Sequence, residues 1–91
     1  INKAFDHRIR LGIMSALVVN EAVDFITLKE ILGVTDGNLA SHIKALEKMN
    51  YITIHKQFIG RKPNTEYSVS PTGSIAFKTH IEALENLIKN T

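Results

Sequence analysis

Between Phe5 and Asn20 the apolar residues Ile9, Ile13 and Leu17 recur every fourth position, with Met14 and Val18 beside them. That interval predicts a helix. Leu11, Ala16 and Val19 lie on its other side, and a helix apolar nearly all round is covered on more than one face. Asp24-Phe25-Ile26 then reads as a short extended link. Thr27-Leu28-Lys29-Glu30 has the spacing of a capping box, which predicts a second helix over about 28–32. Gly33 offers a left-handed stop and Thr35 a cap for a third helix. Helix, tight turn with glycine, helix is the pattern of a helix-turn-helix, about 28–49.

In the third helix, Leu39, Ile43 and Leu46 fall within about 60° of one another and form a core stripe. Gly37, Asn38, Ser41, Lys44, Ala45 and Lys48 lie roughly opposite, with His42 at the boundary and Asn50 as a C-terminal cap. From Tyr51 the period changes to two. Ile52 and Ile54 alternate with Thr53 and His55, and Tyr67 and Val69 with Glu66 and Ser68, so two antiparallel strands are predicted over about 51–69. Gly60-Arg61-Lys62-Pro63 is expected to form a long basic tip. Ser70-Pro71 opens a last helix, about 71–89. Its Phe77, Ile81, Leu84 and Ile88 are spaced 4, 3, 4, the interval of a coiled-coil seam.

Composition narrows the classes. The 91 residues, 44% of them hydrophobic, suffice for one core and a single domain, 1–91, small enough to gain from pairing with a copy of itself. The net charge of +2 is uninformative as a total, but its placement is not. Residues 38–62 hold Lys44, Lys48, Lys56, Arg61 and Lys62 against Glu47 alone, while each flank carries one more acid than base. The positive charge is therefore local, as an anion-binding surface requires. The absence of cysteine excludes disulfides and thiolate metal sites. His7, His42, His55 and His80 lack the short repeated spacing of a metal centre. No apolar run approaches the roughly 20 residues of a membrane span, and the start lacks the form of a secretory signal. A soluble cytoplasmic protein is the expectation, and Ile1 in place of Met leaves room for residues ahead of it.

No Gly-rich phosphate loop, serine elbow or cysteine nucleophile is present. Asp24, Glu30 and Asp36 read as turn and capping residues, so no enzyme, metal or cofactor is expected.

The stretch Thr35-Asp36-Gly37-Asn38-Leu39-Ala40-Ser41-His42-Ile43-Lys44-Ala45-Leu46-Glu47-Lys48 resembles the recognition helix of a compact family of winged-helix transcriptional regulators, relatives of the MarR and ArsR groups. Phe58 to Tyr67 resembles that family's wing, and Ser70-Pro71-Thr72-Gly73 its entry to the last helix. The resemblance implies a mainly α fold with a small β-hairpin: a three-helix core, a wing, and a C-terminal helix for dimerisation. It also implies a homodimer paired through the first and last helices, for which the candidates are Ile9, Ile13, Phe77, Ile81, Leu84 and Ile88. Metal sensing is not carried over from the ArsR relatives, because the cysteine pair and the His/Asp cluster are missing.

A recognition helix presents its N-terminal half to the major groove, which makes Asn38, Ser41 and His42 the candidates for base edges or phosphate. Gly37 in the first turn suits close approach of the backbone to a phosphate. Lys44, Lys48 and Lys56 are candidate phosphate contacts, and Arg61 and Lys62 suit the backbone or a narrow minor groove. Phe58 is expected to pack beneath the wing, and Tyr51 and Tyr67 at the core edge. The expectation is a DNA-binding transcriptional regulator, a repressor that occupies a pseudo-palindromic operator as a homodimer. The rival is a winged helix used for protein association, and an unidentified small-molecule effector stays open.

Overall fold

The computed structural model describes residues 2–5 and 7–90. A short 3-10 turn, Lys3–Phe5, leads into α1 (Arg8–Val19). Then follow β1 (Val23–Asp24), α2 (Phe25–Leu32), α3 (Asp36–Lys48), β2 (Ile52–Ile59), β3 (Lys62–Val69) and α4 (Pro71–Lys89). The order of helices and hairpin matches the reading of the sequence, with three differences of detail.

The first is the start of α2. Its cap is Asp24, not Thr27: the Asp24 carboxylate accepts the Thr27 N–H at 2.8 Å. Thr27 stands three residues into the first turn, and an Asp there caps at least as well as a Thr. The bonds from Thr27 hold the Asp24 carboxyl below its ordinary range. Gly33, at φ 62°, closes the helix by donating to the Lys29 carbonyl.

The second is the sheet. Val23 and Asp24 pair antiparallel with Tyr67 and Glu66, so the hairpin gains a third strand in the order β1-β3-β2. A two-residue strand carries too little periodicity to show in sequence.

The third is the hairpin tip. Ile59 pairs with Lys62, leaving only Gly60 and Arg61 in the turn. Gly60 has φ 65° while Arg61 is not left-handed, the requirement of a tight type II′ turn. Pro63 lies inside β3 opposite Phe58, on a stretch that β1 does not reach. By alternation from the turn, its missing N–H falls at the open edge and removes no ladder bond.

The exit of α3 is a Schellman motif. Asn50, at φ 61°, donates to the Glu47 carbonyl and Tyr51 to that of Leu46. The chain so turned docks on the start of α4. Ser70 donates through N–H to the Tyr51 carbonyl and through Oγ to that of Asn50. Gly73, one turn on, packs so closely that a β-carbon there would strike the Tyr51 carbonyl.

The core draws Ile13, Met14 and Leu17 from α1, Leu28 from α2, and Leu39, Ile43 and Leu46 from α3. Ile52, Tyr67 and Phe77 complete it from the sheet and α4. Ile13 is fully buried and Phe77 8% exposed within a single protomer. These two expected dimerisation residues therefore serve chiefly the protomer's own core.

Candidate nucleic-acid interface

Helix α3 divides into two faces. Leu39, Ile43 and Leu46 are buried, and this anchors the helix so that Gly37, Asn38, Ser41, Lys44 and Lys48 face solvent. The Thr35 hydroxyl accepts the Asn38 N–H and fixes the first turn. Nothing lies within 4 Å of where a Gly37 β-carbon would sit, and its φ is not left-handed. Neither the backbone nor the packing of the protomer thus requires glycine there, in contrast to Gly33 and Gly60.

Asp36, in that same first turn, is a negative charge on a face otherwise suited to anions. Lys29 of α2 meets it at 2.8 Å. Such an exposed pair contributes little to stability, but it sets a cation beside the acid of the first turn. No local sequence signal marks Lys29, since its partner lies across the turn between α2 and α3.

His42 is half-buried and turned toward α1. Its Nδ1 accepts from Arg10 Nε at 3.1 Å, and its ring lies 4.1 Å from that of His7 at 40°. Desolvation, then the charges of His7 and Arg10, hold its pKa below the ordinary imidazole value. The sequence set His7 and His42 far apart; the packing of α1 on α3 joins them.

The wing carries the other candidates. Lys56, Arg61 and Lys62 are all exposed. Phe58, expected beneath the wing, is instead 74% exposed, and Ile59 is 61% exposed. Strand alternation puts Phe58 on the same face as Ile52 and Ile54, but the core ends before it and nothing in the protomer covers it. On the opposite face Gln57 donates to Glu66 at 2.7 Å, which satisfies the wing's carboxylate. Tyr67 is buried within the core, and the half-buried Tyr51 packs against it at the edge.

Of the remaining dimerisation candidates, Ile9, Ile81 and Leu84 are half-buried and Ile88 is 74% exposed. Val18 and Val19 at the end of α1, and Ile75 and Leu87 on α4, add exposed apolar surface. No helix among the described residues is long and apolar enough to cross a membrane. Among the same residues no group of three His, Asp or Glu side chains is placed to hold a metal ion.

The sequence pattern of the winged helix DNA-binding domain matches residues 9–88, nearly the whole chain. The chain belongs to the winged helix DNA-binding domain family. An uncharacterized protein of Methanocaldococcus jannaschii is 35% identical over 88 residues, which span 97% of this chain and 96% of that protein. A transcriptional regulator homologue from Pyrococcus horikoshii superposes with a TM-score of 0.88 at 29% identity, over 96% of this chain and 86% of that one. The fold alone is shared with a MarR family protein of Porphyromonas gingivalis: TM-score 0.75, 20% identity, coverage of 98% and 85%. In the winged helix fold the β2–β3 hairpin is the wing.

Proposed function

We propose that this winged helix protein is a transcriptional regulator that binds duplex DNA as a homodimer and represses by occupying a promoter. The observation that carries the reading is the solvent face of α3. It gathers Asn38, Ser41, Lys44 and Lys48 around a Gly37 that the fold does not require. Asn38 and Ser41 would address base edges in the major groove and Lys44 and Lys48 the flanking phosphates. Lys56, Arg61 and Lys62 of the wing would follow the backbone or enter the minor groove. The exposed apolar residues of α1 and α4, Val19, Ile75 and Leu87 among them, suit pairing with a second copy. Two recognition helices would then meet half-sites about 34 Å apart on a pseudo-palindromic operator.

The test is affinity for genomic fragments in rising salt. Each phosphate neutralised contributes about −0.9 to the slope of log K against log salt. Arg61→Ala with Lys62→Ala is expected to reduce that slope by about two such contributions. Absence of binding at low salt, or binding indifferent to salt, would sink the proposal.

A further inference from the structure

The cluster where α1 crosses α3 has a specific donor chemistry. His7 caps α1 by accepting the Ile9 N–H on Nδ1 at 3.1 Å. His42 accepts Arg10 Nε on its own Nδ1 at 3.1 Å. With Nδ1 accepting, the ring proton of each neutral imidazole sits on Nε2. Both rings therefore offer an N–H there and no lone pair, which disfavours a metal ion and favours an acceptor. Arg10 retains the N–H groups of its two terminal nitrogens. The ring centroids lie 4.1 Å apart, so the two imidazoles share one corner of the surface. Among the described residues no carboxylate is paired with any of the three. Desolvation by burial, ahead of the neighbouring charges, lowers the pKa of His42, and its Nδ1 is already engaged by Arg10.

The cluster is also well placed. His42 lies one helical turn from Asn38 and next to Ser41, so it borders the face assigned to the major groove. We propose that His7, Arg10 and His42 form a phosphate clamp that grips the DNA backbone beside the groove entered by α3. The clamp rests on the DNA-binding reading and adds helix α1 to the contact surface. It assigns His42 to the backbone instead of a base edge, because its ring is held by Arg10 and not free to search.

The chemistry separates the members by experiment. Arg10→Met removes a cation and keeps most of the stem. His7→Asn keeps a capping acceptor but loses the Nε2 donor. With a random-sequence duplex about three helical turns long, Arg10→Met should weaken binding severalfold and reduce the salt slope by about 0.9. His7→Asn should weaken binding through loss of the Nε2 donor. Thermal unfolding of each variant checks that the fold is retained. In the unmodified protein, 15N spectra of the histidine rings should show the Nε2 signals of His7 and His42 moving when duplex is added. If Arg10→Met retains full affinity and slope while the Arg61/Lys62 double variant loses both, the clamp is overturned and DNA binding stands. Signals that move with inorganic phosphate but not with duplex overturn the backbone assignment as well. Failure of the unmodified protein to bind duplex at low salt instead removes the reading beneath it.

Discussion

Gly37→Ala should raise the stability of the protein and lower its affinity for DNA. The residue stands in the first turn of α3, two places after the Thr35 cap. In a helix glycine is less favourable than alanine by about 0.5–1 kcal/mol, because it gives up more backbone freedom on folding. A β-carbon added there meets nothing within 4 Å, so no steric term offsets the gain. For a domain of this size, about 0.5–1 kcal/mol corresponds to a rise in melting temperature of about 2–8 °C. In the complex the same methyl would stand between the helix and the DNA. Intruding a methyl into a close-packed contact costs about 1–3 kcal/mol, which at the lower end is already a loss of severalfold in affinity. Thermal unfolding by circular dichroism and titration of labelled duplex by fluorescence anisotropy read the two effects separately. An unchanged or lower melting temperature would refute the stability argument. A higher melting temperature with unchanged affinity would show that the backbone at residue 37 does not approach the DNA.

Gly73→Ala acts in the opposite sense: its β-carbon collides with the Tyr51 carbonyl, which belongs to backbone and cannot swing aside. A loss of about 1–3 kcal/mol is expected from such overpacking, read as a lower denaturant midpoint. Asp24→Ala should cost about 1 kcal/mol through loss of the α2 cap. Since the folded carboxyl is held below its ordinary 3.8, the Asp24 contribution is present above that pH and is lost as pH falls through the folded value. The difference between wild type and variant should therefore shrink in acid. His42 follows the same direction for a different reason. Its folded pKa lies below the ordinary 6.5 because the charged ring is disfavoured, so the unfolded chain binds the proton more readily. Its contribution is complete above about pH 6.5 and declines below it; a His42→Gln variant should show a flatter dependence of melting temperature on pH between 5 and 7. An equal slope in both proteins would remove His42 as the cause.

Local patterns were legible where they repeat. Leu39, Ile43 and Leu46 recur at helical spacing, and all three are buried. Ser70-Pro71 and Gly33 mark helix ends through side-chain and backbone chemistry that needs no tertiary context, and both act as read. Patterns failed where the outcome depends on what lies opposite. Phe58 keeps the alternation of Ile52 and Ile54, yet the core stops short of it. Ile13 and Phe77 share a spacing with Ile9 and Ile81 and are consumed within the protomer. Strand β1 spans two residues and exists only because β3 lies beside it.

The sequence by itself determined that there would be three helices, a basic hairpin and a final helix. It also determined that the positive charge would gather between residues 38 and 62, since periodicity, caps and charge are properties of neighbours along the chain. Tertiary structure decided which apolar residues remain on the surface and which acid on α3 meets Lys29. It alone brought His7 and Arg10 to His42. Those are properties of neighbours in space, set by how α1 packs across α3, and a one-dimensional pattern carries no record of that crossing.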